Sequence, residues 1–155
     1  MLNAAAPKMK WKEVWAMIWW ILGILLAAVL NLAVGAVWYG ALFGGAAAAL
    51  HPGYAVDAAP SAGVVAGEAL RGLVLATGLA ALIAWTGASG AWQVIGLAVL
   101  VWAGFQLGGF AGSVLHEGYP LRLYAIHMGD ALLKAVVASF VIAGLAGRPY
   151  AEVAV

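Results

Sequence analysis

The segment VWAMIWWILGILLAAVLNLAVGAVWYGAL, residues 14–42, contains no charged residue. An α-helix rises about 1.5 Å per residue, so about 20 apolar residues cross the hydrocarbon core of a bilayer. Lys8, Lys10 and Lys12 precede the segment, as basic residues precede the core of a signal peptide. A signal-peptide core has only roughly 7–15 apolar residues, however. The length of this segment therefore predicts a membrane-spanning helix that is retained in the mature protein.

The rest of the chain is similarly apolar. Of its 155 residues, 66% are hydrophobic and 8% are charged, and the mean hydropathy is +1.04. A soluble domain carries about 25% charged residues, so this composition predicts an integral membrane protein of one compact domain. The net charge of +1 provides no basic surface for a nucleic acid. The absence of cysteine excludes disulfides and thiolate metal sites.

Four apolar segments are long enough to span a bilayer, and turn-forming residues separate them. The predicted helices are about 14–39, 63–85, 91–115 and 121–146. The separating sequences are HPGYAVDAAPSAG (51–63), TGASG (86–90) and HEGYP (116–120). We therefore predict an all-α membrane protein with one four-helix transmembrane domain over residues 14–147.

The basic residues predict the orientation of this domain. Lys8, Lys10 and Lys12 precede the first helix, and Arg148 follows the fourth, whereas the 40–62 loop contains neither lysine nor arginine. Since cytoplasmic loops are enriched in these residues, segments 1–13 and 148–155 are both predicted to be cytoplasmic. Aromatic residues near the helix ends are predicted to anchor the helices at the membrane interfaces. They are Trp11, Trp15, Trp19, Trp38, Tyr39, Trp85 and Trp92.

Glycines repeat at intervals of four residues in two of the predicted helices. Gly104, Gly108 and Gly112 form one such series, and Gly63 and Gly67 form another. Small residues on one face let two membrane helices approach closely. The series predict close helix contacts, which can lie within one chain or between two chains.

Polar residues of all four predicted helices fall at a similar depth in the half of the membrane away from the cytoplasm. Counting about 1.5 Å per residue from the helix ends places them roughly 8–14 Å below the boundary. A charge facing lipid there costs about 2.5–3.5 kcal/mol or more, so these groups are predicted to face inward and to pair. They are Asn31, Glu68, Arg71, Gln106, His127 and Asp130, with Lys134 one turn further along the helix and His116 and Glu117 in the adjoining turn.

Two interpretations of this polar cluster remain open. Glu68 with Arg71, and Asp130 with Lys134, can be ion pairs that fix the helix register and have no further role. Alternatively, the same residues line a wet pocket that binds or relays a solute or a proton, since ionisable groups inside a membrane are candidates for function.

The sequence contains no pattern typical of a cofactor or of catalysis. His116, Glu117, His127 and Asp130 are admissible metal ligands, but they lack the spacing of known metal motifs. His127 is the only histidine placed deep enough for a haem ligand, and His51 lies in a Pro/Gly-rich loop. Phosphate-binding loops, dinucleotide fingerprints and nucleophile elbows are also missing. We therefore expect no metal, no cofactor and no enzymatic activity.

Three stretches resemble a family of small bacterial membrane proteins described as domain of unknown function 1761. They are NLAVGAVWYGALFG (31–44), WAGF (102–105) and HEGYPLRLYAIHMGDALLKAVVASFVIAGL (116–145). The resemblance covers most of the chain. It implies four helices and a multi-pass protein of the bacterial inner membrane, and it implies no particular activity.

Two functional hypotheses follow. The first is a non-enzymatic protein that acts as a homo-oligomer or as a small accessory subunit of a larger membrane assembly. The alternative is a small proton- or cation-coupled transporter that acts as a dimer. A water-filled pocket around Asp130 would favour transport, whereas a dry, fully paired cluster with an exposed glycine face would favour assembly. The expected partners are the lipid bilayer, another copy of the chain or another membrane protein, and a small solute or proton under the second hypothesis.

Overall fold

The computed structural model describes residues 11–51 and 59–146, and these residues form helices without any strand. Helix α1 (Trp11–Val37) continues into a first π-helical segment (Trp38–Leu42), which is followed by the short helix α2 (Gly44–Leu50). Helix α3 (Ala62–Thr86) is uninterrupted. Helix α4 (Ala91–Val101), a second π-helical segment (Trp102–Leu107) and α5 (Gly108–His116) form one continuous rod, and α6 (Leu121–Ala146) completes the chain.

Four spans are long and apolar enough to cross a membrane: Trp11–Leu42, Ala62–Thr86, Ala91–His116 and Leu121–Ala146. This confirms the predicted fold class of a four-helix membrane protein. The first helix extends beyond its predicted bounds of about 14–39, because Trp11, Lys12 and Glu13 already belong to α1. The cytoplasmic location of the two chain ends stays a prediction, and Lys8, Lys10 and Arg148, on which it rests, lie outside the described residues.

The first span ends differently from the prediction. The π-helical segment extends it to Leu42, and α2 occupies part of the predicted 40–62 loop. Gly44 begins α2, and a Cβ atom at this position would overlap the carbonyl oxygen of Tyr39. Glycine therefore permits the chain to turn directly from the π-helical segment into α2, which contacts α6.

The turns between the other spans have identifiable local causes. Ser61 caps α3, since its Oγ accepts a hydrogen bond from the backbone N–H of Val64 at 3.3 Å. Gly87 ends α3 with φ of 66°, and Gly118 lies in the HEGYP turn with φ of 69°. These left-handed conformations favour glycine, because other residues meet a Cβ clash there.

Helix α6 is the most buried of the four spans and contacts α1, α3 and α4. Much of the core consists of alanine, including Ala27, Ala76 and Ala138. A Cβ atom added to Gly23 would lie 3.4 Å from the Cα of Ile142, and one added to Gly72 would lie 3.5 Å from the carbonyl oxygen of Ala28. Small residues therefore bring α1 close to both α6 and α3.

The glycine series predicted from the sequence do not form these contacts. An added Cβ atom would meet nothing within 4 Å at Gly67, Gly104 and Gly112, and only nearby atoms of the same segment at Gly63 and Gly108. Among the described residues, the prediction that these glycines form close helix contacts within one chain is therefore wrong. Close contact between two chains at these glycines stays a prediction.

Candidate functional site

One end of the bundle, which we call the loop end, contains the span ends Leu42, Ala62, His116 and Leu121. A cavity of about 460 Å³ lies in the half of the bundle nearer this end. Its volume falls within the range of about 300–1,000 Å³ that is typical of small-molecule sites. The cavity brings together seven polar residues predicted from the sequence, and these are Asn31, Glu68, Arg71, Gln106, His127, Asp130 and Lys134.

Four charged side chains form a closed ring in this cavity. The two shortest ion pairs lie within single helices: Arg71 Nη2 to Glu68 Oε2 at 3.0 Å in α3, and Lys134 Nζ to Asp130 Oδ2 at 2.7 Å in α6. Two longer pairs connect the helices, since Lys134 Nζ lies 3.6 Å from Glu68 Oε2 and Arg71 Nη2 lies 3.8 Å from Asp130 Oδ2. Two negative and two positive charges make the ring neutral.

The ring is buried on one side only. The side chains of Asp130 and Lys134 are 2% and 7% exposed, whereas those of Glu68 and Arg71 are 42% and 59% exposed. Gly35 of α1 makes room for the lysine, because an added Cβ atom there would lie 2.9 Å from Lys134 Nζ. The α6 pair is thus enclosed by the bundle, and the α3 pair faces the open side of the cavity.

Three buried polar atoms at the cavity have no hydrogen-bond partner among the described residues. They are Oδ1 and Nδ2 of Asn31, and Oδ1 of Asp130. Asn31 and Asp130 are both buried. A buried donor or acceptor without a partner costs about 1–3 kcal/mol, so these atoms favour the presence of a polar group beside them.

Aromatic side chains hold the first half of α6 against the two π-helical segments. Each segment begins with a tryptophan that donates its indole N–H to a backbone carbonyl of α6: Trp38 to Ile126 at 3.1 Å and Trp102 to Met128 at 2.9 Å. The hydroxyl of Tyr124 donates in return to the carbonyl of Leu107 at 2.7 Å. A π-helical turn is wider than an α-helical turn and interrupts the regular series of backbone hydrogen bonds. The hydrogen bonds of these side chains stabilise the two π-helical segments.

His127 lies between two tyrosines at the loop end of the cavity. Its Nδ1 is hydrogen-bonded to the hydroxyl of Tyr39, and its Nε2 lies 2.7 Å from the hydroxyl of Tyr119. Tyr39 belongs to the first π-helical segment, and Tyr119 belongs to the HEGYP turn. These contacts fix the imidazole and connect three parts of the chain.

Several predicted roles need correction. His116 and Glu117 are exposed and do not line the cavity, and Tyr119 is the residue of the HEGYP turn that faces it. The interfacial anchoring predicted for Trp38 and Tyr39 stays a prediction, and the structure adds that their polar atoms bond to Ile126 and His127 of α6. Trp11, Trp15, Trp85 and Trp92 are exposed, Trp19 is half-buried, and their anchoring role stays a prediction.

The sequence interpretation missed other residues of the site. Phe105, Phe110 and Tyr119 line the cavity, and Trp102 and Tyr124 support its walls. Counting residues along the third predicted helix would have placed Phe105 at the depth of Gln106. Nothing in the sequence identifies the backbone carbonyls that accept hydrogen bonds from the tryptophans. Among the described residues, no group of three or more histidine, aspartate or glutamate side chains is placed to hold a metal ion.

The four spans define a class, a multi-pass α-helical membrane protein, and polar residues of all four spans line a cavity that is open on one side. The profile of a family described as Protein of unknown function (DUF1761) matches residues 22–143. The chain belongs to this family, which confirms the resemblance seen in the sequence. The comparison with curated proteins found no match. The comparison with solved structures found none either.

Proposed function

We propose that this protein is a non-enzymatic membrane protein that binds a small molecule with a polar group in the cavity between its four spans. The observation that carries the proposal is the set of unpartnered buried atoms of Asn31 and Asp130. A cluster serving only as a structural lock would have its hydrogen bonds satisfied within the protein. The arrangement supports the transport hypothesis over the purely structural interpretation, because a carrier must first bind its solute.

The proposal includes the bacterial inner membrane as the location of the protein. It assigns the ion-pair ring to holding α3 and α6 in register, and it assigns Asn31 and Asp130 Oδ1 to the ligand. Coupling to a proton or cation would use the same cavity, where His127 and the ring residues are the ionisable groups.

The test is a stability screen of the purified protein in detergent against water-soluble polar compounds and lipids. A ligand should raise the melting temperature of the parent and have little effect on Asn31→Leu, which removes two of the three unpartnered atoms. Ser139→Ala is a matched control, because Ser139 Oγ is also buried without a partner but does not line the cavity. The proposal fails if every compound that stabilises the parent stabilises Asn31→Leu equally.

The exposed glycines favour a second role, self-association. Gly104 and Gly112 in the third span and Gly67 in α3 have open space where another helix can approach. Such faces are typical of contacts between membrane helices. We expect Gly108→Leu to weaken a dimer without lowering the stability of the single chain. Native mass spectrometry of parent and variant measures this, and an unchanged population of dimers in the variant would refute this role.

A further inference from the structure

The cavity is closed by α1 and α6 and open between α3 and the third span. On the closed side, Asn31, Met128 and Asp130 are buried. On the open side, large apolar residues of the cavity lining are exposed: Val74 of α3 is 64% exposed, and Phe105 of the second π-helical segment is 76% exposed. The mouth of the cavity therefore lies between α3 and the second π-helical segment of the third span.

The depth of this mouth shows what it faces. Val74 lies about 18 Å along α3 from Ala62, and Phe105 lies about 17 Å from His116, at 1.5 Å per residue. Both positions are near the middle of spans long enough to cross a bilayer. A hydrocarbon core is about 30 Å thick, so the mouth opens sideways into the lipid chains.

The floor and the mouth demand opposite chemistry from a ligand. The floor offers Asn31 Nδ2 as a donor, and Asn31 Oδ1 and Asp130 Oδ1 as acceptors. The mouth offers the apolar side chains of Val74, Phe105 and Phe110, and the partly exposed Glu68–Arg71 pair lies on the same open side, nearer the loop end. A ligand that satisfies both has a compact polar head and an apolar tail.

The ion-pair ring limits the charge of the head. Glu68 and Asp130 already balance Arg71 and Lys134 at distances of 2.7 to 3.8 Å. A charged head would bring an unbalanced charge into this apolar region, which is costly. A neutral head with hydroxyl or amide groups can donate to the Asp130 carboxylate and exchange hydrogen bonds with the Asn31 amide without that cost.

We infer that the cavity binds a neutral lipid with a hydroxylated or amide head, which enters sideways from the bilayer between α3 and the third span. The head lies at Asn31 and Asp130, and the tail leaves between Val74 and Phe105. This inference rests on the proposed function and specifies the class of its ligand.

The test uses 1-monooleoylglycerol as the probe, with glycerol as the head alone and methyl oleate as a tail without hydroxyl groups. In native mass spectrometry of the detergent-purified protein, one molecule of 1-monooleoylglycerol should bind per chain. Neither control should compete with it. Asn31→Leu should bind 1-monooleoylglycerol more weakly by a factor of about ten or more, since it loses the hydrogen bonds of a buried amide. Phe105→Ala should also weaken binding, whereas Phe140→Ala, an exposed phenylalanine outside the cavity, should not.

A photoreactive monoacylglycerol provides a second measurement that does not depend on a variant folding. The attached diazirine in the tail should label α3 and the third span near Val74 and Phe105. Equal binding of methyl oleate, or labelling spread over the lipid-facing surface, would overturn the inference. A dimer whose second copy fills the mouth and excludes the probe would also overturn the inference.

The failure of this inference is distinguishable from that of the proposed function. If a water-soluble compound stabilises the parent in an Asn31-dependent way and 1-monooleoylglycerol does not bind, the lipid inference fails and the binding function stands. If no compound of either kind depends on Asn31, both fail.

Discussion

Replacing Asp130 by asparagine tests the energetic role of the ion-pair ring. The substitution removes the carboxylate that accepts a hydrogen bond from Lys134 Nζ at 2.7 Å. Lys134 is buried, and its remaining anionic partner is Glu68 Oε2 at 3.6 Å. Removing one partner of a buried pair typically costs about 3–5 kcal/mol. Because Glu68 retains part of the attraction, we expect Asp130→Asn to lower the free energy of unfolding by about 3 kcal/mol, the lower end of that range.

The double variant Asp130→Leu with Lys134→Leu distinguishes the loss of the whole ion pair from the loss of one partner. It removes one charge of each sign and leaves Arg71 with Glu68 at 3.0 Å, so the remaining cluster stays neutral. Replacing both partners of a buried pair by apolar residues is often close to neutral. We therefore expect the double variant to recover more than half of the stability lost in Asp130→Asn.

Unfolding by titration with sodium dodecyl sulfate, followed by circular dichroism, measures both variants. Asn31→Leu is the comparison, because it changes a buried polar residue of the same cavity without breaking an ion pair. Parent-like stability of Asp130→Asn would refute the view that this carboxylate holds the buried lysine. A double variant as unstable as the single one would show that the loss comes from altered packing and not from an unpaired charge.

Two further predictions concern packing and orientation. Gly35→Ala should lower the free energy of unfolding by about 1 kcal/mol relative to Gly40→Ala, the lower end of the overpacking range, because its methyl group displaces Lys134 Nζ, the end of a flexible side chain that Asp130 holds in place. Gly40→Ala, where the added Cβ atom meets nothing within 4 Å, is the control in the same titration, and equal stability of the two variants contradicts the prediction. A cysteine at Ala58, in this cysteine-free chain, should react with an impermeant maleimide in intact cells, and labelling only after lysis would reverse the predicted orientation.

The location of the polar site was predictable from the sequence because the helical rise is fixed. Counting residues from four helix ends places Asn31, Glu68, Gln106 and Asp130 at one depth, and the structure lines a single cavity with them. An error of two or three residues in a helix end moves a side chain by about 3–5 Å, which is smaller than the cavity. The calculation fails for His116, because depth does not say which side chains of a turn face the cavity.

The packing glycines were not predictable in the same way. A repeat such as Gly104 and Gly108 shows which residues share a face, but it does not identify the face that meets another helix. The second π-helical segment also changes the rotation between Gly104 and the residues of α5. Gly23 and Gly72, which approach the backbone of a neighbouring helix, stand outside any repeat, and only the bundle identifies their partners.

The hydrogen bonds of the tryptophans show a further limit of the sequence. Trp38 lies near the end of its span, where a tryptophan is typical of an interfacial anchor, and Trp102 lies near the middle of the third span, but the indole N–H groups of both bond to carbonyls of α6. A backbone carbonyl is present at every residue, so no residue type marks the acceptor. The periodicity of the apolar residues likewise does not reveal the π-helical segments that begin at these tryptophans.

The arrangement of the four charges has a consequence for biogenesis. Each shorter ion pair lies within one helix, Glu68 with Arg71 in α3 and Asp130 with Lys134 in α6, while the longer ones join the two helices. During synthesis α3 reaches the membrane before α6 exists. Because each helix brings its own counter-ion, each can leave the translocon without net charge in its apolar part. This pairing allows the two segments to insert independently and to form the contacts between α3 and α6 within the bilayer.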